Sequence, residues 1–289
     1  MGQTATTITE QIQKLTDRGV IFDCEEAKVK EILLDIGYYR LGFYWKPFEI
    51  DDDHNFKSGT KFSDVITLYY LDVDLRNVLN KYLTRLEINF RTKLVYYVSN
   101  KYKSSPTWFA DDSVVNKEFI NNLHKIYDDK FKTNNKVIKN HHKKYINHIH
   151  APAWKTLEFF TFGTNLNLYR NLKEEDVQKR ISKSFAIENP EKFQTIIGAM
   201  LELRNACAHG DVLYDFSLPM GLPNFSVFGF VGSDRQSIFA CYKVLSYLVG
   251  SISINRQNQL ENEINKLLKE HADNEVIQKI IETKMKFIR

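Results

Sequence analysis

Three cysteines in 289 residues, spread over Cys24, Cys207 and Cys241, leave no disulfide framework and no zinc knuckle. So few and odd in number, they fit a reducing cytosol, and a cytoplasmic location is expected. Glycine (12) and proline (6) are also sparse, and so few breakers favour long helices. No run of 18 apolar residues occurs, so no membrane span is expected. The start lacks the basic and apolar regions of a secretory signal. Met1-Gly2-Gln3-Thr4-Ala5-Thr6 does fit the loose myristoylation template, which is short enough to match by chance. A "DDDHN" run at 51–55 resembles the start of a calcium loop. It fails where Phe56 replaces the turn glycine and Phe62 the closing glutamate. With no carboxylate cluster and no Cys/His ligand set, neither a metal nor another cofactor is expected.

What is present is apolar and aromatic. The hydrophobic fraction is 43% and the aromatic fraction 13%, enough to bury a core. The net charge of +4 is concentrated. Residues 124–150 hold seven lysines and two aspartates, a net +5, so the remainder sums to about −1. Five histidines, His124, His141, His142, His148 and His150, lie in the same stretch. This segment reads as a solvated, partly mobile insertion. It is also a candidate guide for a phosphate backbone through Lys136, Lys139, Lys143 and Lys144.

The periodicity is helical almost throughout. Helices are expected over 7–18 and 24–36, closed by Gly19 and Gly37. The aromatic stretch "GYYRLGFYWKPF" (37–48) reads as a compact loop, with a short hairpin near 51–55. Its cluster Tyr38, Tyr39, Tyr44 and Trp45 could stack bases, although such clusters more often form core. From Ser63, a candidate cap, to Lys103 there is no Gly or Pro. Leu68, Leu71, Leu75, Leu79, Tyr82, Leu86, Phe90, Leu94 and Tyr97 recur at steps of three and four, which predicts one very long helix. Asp72 with Arg76 and Glu87 with Arg91 are spaced as surface ion pairs, worth little each. Helices are expected near 164–172 and 174–185, and two or three more after 233. A loop over 211–232 holds a short strand pair at "FSVFGFV". The expected division is an N-terminal region (1–62), a helical core (63–215) carrying the basic insertion, and a loop with C-terminal helices (216–289).

The sharpest local signal is a 20-residue helix running into "LRNACAHG". Asn189 is a good N-cap, Pro190 suits the first helical position, and Gly210 suits a left-handed stop. Phe193, Ile196, Ile197, Met200 and Leu201 form its apolar face. Arg204, four after Met200, lies on or beside that face and needs a partner or a ligand. His209 is the one residue type that titrates near neutrality, and here it sits at a helix C-terminus that favours its proton. Two cationic donors at one helix end suit a phosphate.

Six blocks in order, "QIQKLTDRGV" (11–20), "GYYRLGFYWKPF" (37–48), "LYYLDVDLR" (68–76), "EINFRTKL" (87–94), "PAWKTLEFFTFGTN" (152–165) and "LRNACAH" (203–209), carry a resemblance. Over roughly 8–215 the chain resembles the Abi-like (AbiD/AbiF-type) abortive-infection proteins, a branch of the HEPN superfamily. The resemblance implies an all-α, HEPN-like helical bundle with an N-terminal helical extension. It also implies a toxin-like, metal-independent endoribonuclease of antiviral defence. Arg204-Asn205-Ala206-Cys207-Ala208-His209 matches the family's Arg-x4–6-His pattern, with four intervening residues. On that basis Arg204 and His209 are the candidate catalytic pair, and Asn205, Glu87 and Arg91 are candidate substrate contacts beside the four lysines. The expected partners are RNA, a second copy of the chain and an RNA or protein antitoxin. None of the other arginines is followed by histidine at five to seven residues. A reaction needing both an acid and a base therefore calls for two chains. The alternatives are a non-catalytic HEPN module that binds RNA or a protein, and a helical scaffold in which Arg204 and His209 are structural.

Overall fold

The structure, a computed structural model, describes residues 4–224, 228–230 and 232–287. The first three residues of the myristoylation template, and Phe225, Ser226, Val227 and Val231 of the expected strand pair, lie outside them.

The long periodic segment becomes α4 (Phe62–Lys101), a 40-residue helix whose buried positions include Leu68, Leu71, Leu75, Leu79, Leu86, Phe90 and Leu94. At 1.5 Å per residue it is about 60 Å long and serves as the axis of the molecule. Ser63 does not cap it. The helix starts one residue earlier, and the Asp23 carboxylate accepts the Ser63 backbone N–H at 3.1 Å. Before it come α1 (Ile8–Asp17), opened by a Thr7/Glu10 capping box, and α2 (Glu26–Asp35). The 37–48 stretch is not a loop. It forms α3 (Tyr38–Trp45), entered at Gly37 with φ 91° and continued by a 3-10 turn to Phe48. Burial of Leu41, Tyr44, Trp45 and Phe48 overrides the weak helix propensity of the aromatics.

The basic insertion is ordered as α5 (Lys117–Ile126), α6 (Asp129–Asn134) and α7 (Lys136–Lys144). Tyr127, Ile138 and His141 are buried within it. Then follow α8 (Ala153–Thr156), a 3-10 turn (Leu157–Phe159), α9 (Phe162–Arg170), α10 (Glu175–Lys183) and α11 (Pro190–His209). The chain continues in α12 (Ile238–Ile252), α13 (Ile254–Glu270) and α14 (Glu275–Thr283). Helices α3, α9, α10, α11, α12, α13 and α14 all pack on α4, so the C-terminal helices share its core. The fold is all-α. Among the described residues only isolated bridges appear. The expected hairpin near 51–55 reduces to the Glu49–Phe56 bridge around a turn, in which Asp51 accepts the Asn55 N–H at 3.0 Å.

Candidate functional site at the end of the α11 helix

Helix α11 has the predicted limits. The Asn189 side chain accepts the Lys192 N–H at 2.8 Å, and Gly210 ends the helix at φ 74°. The Asp211 N–H returns to the Ala206 carbonyl at 2.9 Å, the wide turn that a left-handed glycine permits. The inner face is anchored by Phe193, whose ring meets Phe90, Tyr169 and Phe185 at centroid distances of 6.1, 5.5 and 5.2 Å.

The outer face carries the motif. His209 is exposed at the last helical position, and Arg204 is partly exposed, one third of its side chain meeting solvent. Arg204 therefore lies beside the buried face, and its partner is Glu87 of α4, with Nε 3.3 Å from Oε2. Its Nη1 donates to Asn205 Oδ1 at 3.3 Å. The ion pair with Glu87 and the bond to Asn205 fix the plane of the guanidinium and leave its other N–H groups for an incoming oxyanion. Glu87 thus pairs with Arg204 and not with Arg91, which pairs with Glu158 at 2.8 Å. The outcome is an alternating row: Glu158, Arg91, Glu87, Arg204. Cys207, inside the motif, is buried, and burial pushes its thiol up to about 12. It stays protonated at neutral pH and supplies no thiolate nucleophile.

Immediately beyond His209 the chain is clamped by a buried polar network. Asp72 is fully buried; its Oδ1 accepts the N–H groups of Leu213 (2.9 Å) and Tyr214 (2.7 Å). Its Oδ2 accepts the Tyr44 hydroxyl at 2.9 Å and an Arg76 N–H. Arg76 also donates to the Asp211 carbonyl at 2.9 Å, and Arg40 donates to the Gly210 carbonyl and to Tyr44 Oη at 3.3 Å. Burial pushes the Asp72 carboxyl up, and Arg76, Tyr44 and the two backbone N–H groups pull it back. Burial, with Asp72 next, pushes the Tyr44 hydroxyl up to about 12, so it keeps the proton it donates. Four of the five residues from 210 to 214, all but Val212, are hydrogen-bonded by side chains of α3 and α4.

Sequence reasoning missed this network, since it read Asp72–Arg76 as a surface pair. A signal was available: Asp72 falls four after Leu68 and three before Leu75, on the buried stripe. The aromatic cluster divides. Tyr44 and Trp45 are core, Tyr38 is half-buried, and Tyr39 is exposed.

The four lysines stand elsewhere. Lys136, Lys139, Lys143 and Lys144 are all exposed on α7, which packs on α6 and α8, whereas α11 packs on α4, α9, α10 and α12. Inside the insertion His141 Nε2 lies 3.3 Å from His148 Nδ1, and Tyr127 Oη, accepting the Ala151 N–H, lies 2.8 Å from His142 Nε2. Burial lowers the pKa of His141, His142 and His150, and neighbouring lysines add to the effect. Among the described residues no group of three or more His, Cys, Asp or Glu is placed to hold a metal ion. Among them, too, no helix is long and apolar enough to cross a membrane.

Among known protein families, the one described as Abi-like protein matches residues 31–215, well over half of the chain, and that span contains the whole clamp and the motif. No curated protein and no solved structure gives a match.

Proposed function

Because the chain belongs to the Abi-like protein family, a membership that points to abortive infection, we propose that it is a metal-independent endoribonuclease of HEPN type, acting as a toxin. The observation that carries this reading is the presentation of Arg204 and His209. His209 is exposed at the end of α11, Arg204 is partly exposed about a turn and a half before it, and the chain that follows them is locked by Asp72, Arg76 and Arg40. Such preorganisation is what stabilisation of a developing charge requires.

In this mechanism an imidazole of His209 takes the proton from a ribose 2′-hydroxyl. The 2′-oxygen attacks the adjacent phosphorus, the bond to the 5′-oxygen breaks, and that oxygen leaves with a proton from an acid. The products are a 2′,3′-cyclic phosphate and a 5′-hydroxyl. Arg204, through the N–H groups that Asn205 does not engage, neutralises the phosphorane as charge builds. Glu87 and Asn205 hold the guanidinium in position. Each chain carries one such histidine, so acid and base come from two chains, and the active species is a homodimer. An RNA or protein antitoxin would act by covering this helix end.

The experiment is incubation of pure protein with total RNA, with and without EDTA, followed by mapping of the product ends. Cleavage is expected to survive the chelator, leaving cyclic-phosphate and 5′-hydroxyl termini. It should fall by about 10²-fold or more in Arg204→Ala and His209→Ala, with folding intact. RNA binding without cleavage would replace this reading by a binding module; cleavage lost to EDTA and restored by Mg²⁺ would overturn the mechanism.

A further inference from the structure

We propose that Tyr39 and Phe43 form a stacking platform for an unpaired nucleobase of single-stranded RNA beside the α11 terminus; this rests on the ribonuclease reading above. The two rings are one helical turn apart on the outer face of α3. Their centroids are 5.5 Å apart in an edge-to-face contact. Tyr39 is 78% exposed and Phe43 44%, whereas their neighbours Leu41, Tyr44 and Trp45 are buried. The burial that makes α3 a helix thus leaves these two rings unused by the core. Gly42, beside them on the helix, faces open space: a Cβ there would meet nothing within 4 Å.

What surrounds the rings selects the occupant. Arg40 lies 5.9 Å from the Phe43 ring centroid, and the same guanidinium holds the Gly210 carbonyl, one residue beyond His209. Lys46 is exposed one turn further along, and residues 37–47 contain no carboxylate. The patch therefore combines π-faces with positive charge and runs directly into the helix end that carries the histidine. A polyanion with stackable bases satisfies both features, since each stacked base is worth about 1–3 kcal/mol and any base will serve. A second copy of the chain fits less well. A two-fold contact would set this patch, which has basic residues and no carboxylate within 37–47, against its own copy, like charge against like. A duplex fits less well too, because its bases are already stacked. A base held here would anchor the strand on one side of the scissile phosphate while Arg204 grips the phosphate itself.

The test is fluorescence anisotropy with the whole chain. Two fluorescein-labelled strands of equal length serve as probes, both with 2′-O-methyl sugars that lack the attacking hydroxyl: an oligoadenylate and its abasic counterpart. Tyr39→Ala/Phe43→Ala should weaken oligoadenylate binding on the order of tenfold or more. It should leave abasic binding and the thermal midpoint unchanged, because both rings are exposed. Tyr39→Phe and Phe43→Tyr should bind as wild type, and the fluorescence of Tyr39→Trp should be quenched by the oligoadenylate only. If the double alanine variant keeps wild-type affinity while the wild-type protein cleaves RNA, the platform is refuted and the ribonuclease stands. If the variant turns a dimer into a monomer without loss of affinity per chain, the face is an interface between copies and the platform is refuted. A wild-type chain that binds neither strand refutes the platform, and the ribonuclease falls with it only if total RNA is also left uncleaved.

Discussion

Asp72 is the residue on which the geometry of the candidate site turns, and removing its carboxylate has a calculable consequence. In Asp72→Ala the N–H groups of Leu213 and Tyr214 lose their acceptor, Tyr44 loses its own, and Arg76 loses its counter-ion. Deleting one partner of a buried ion pair costs about 3–5 kcal/mol, and each buried N–H left unpaired about 1–3 kcal/mol. These terms overlap, and Arg76 keeps the Asp211 carbonyl, so a total of about 4 kcal/mol is reasonable. In a chain of this length roughly 2 °C accompanies each kcal/mol, so the thermal midpoint should fall by about 8 °C. Asp72→Asn retains an acceptor for the two backbone groups but turns an amide donor toward Arg76. It should lose less, and hydrogen exchange at Leu213 and Tyr214 should stay slow; in the alanine variant exchange there should accelerate while 193–203 remains protected. RNA cleavage, measured well below both midpoints, should follow the exchange data, alanine falling further than asparagine. A midpoint within about 2 °C of wild type for Asp72→Ala would refute the accounting of the network. A loosened 210–214 segment with undiminished cleavage would refute the claim that the clamp positions His209.

Two further outcomes are expected. Replacing Lys136, Lys139, Lys143 and Lys144 with glutamine should weaken RNA binding and flatten the plot of log affinity against log salt by up to about 3, at roughly 0.7 per lost contact with a single strand; an unchanged slope would remove α7 from the substrate path. His141, which is buried, and His142 and His150, which are partly buried, predict acid lability of the insertion. Their folded pKa values lie below the unfolded value of about 6.5, so the unfolded state binds protons first. The stability they allow is complete above that value and is lost as pH falls through it, so amides of α5 to α7 should exchange faster at pH 5.5 than at pH 7.5, relative to those of α4. Equal protection after correction for the intrinsic rate would contradict this.

The helices that could be read from the sequence are those whose signals are local. The Asn189 cap, Pro190 and the Gly210 stop lie within α11 or next to it, and the three–four spacing of leucines runs unbroken along α4. Residues 37–48 carry no such signal. Their helix exists because Tyr44 and Trp45 are buried against α4 and its neighbours, a tertiary cause that no local pattern encodes. Partner choice was opaque for the same reason. The i,i+4 rule offers Arg91 to Glu87, but Arg204 and Glu158 arrive from 117 and 67 residues away along the chain and displace that pairing. The motif residues themselves were legible, whereas the clamp that holds them joins 40, 44, 72 and 76 to 210–214 across 130 or more residues.

The case for two chains gains a geometric step from α11. The helix is regular through His209, so Arg204 and His209, five residues apart, diverge by about 140° around the axis and lie about 7.5 Å apart along it. Arg204 is moreover tied back to Glu87, away from the helix end. Within one chain the two side chains cannot readily close on the same phosphate; across a two-fold axis the exposed end of a second α11 can supply the missing group. If each cleft needs both chains, a His209→Ala chain should poison the wild type. Co-expressed at equal amounts, with total protein held constant, random pairing leaves about one quarter of the dimers wholly wild type, and activity should fall to about that fraction. Chains that act alone would retain about half. A linear dependence on the wild-type fraction, or an active species that sediments as a monomer at assay concentration, would refute the shared site and leave Arg204 and His209 to act from a single surface.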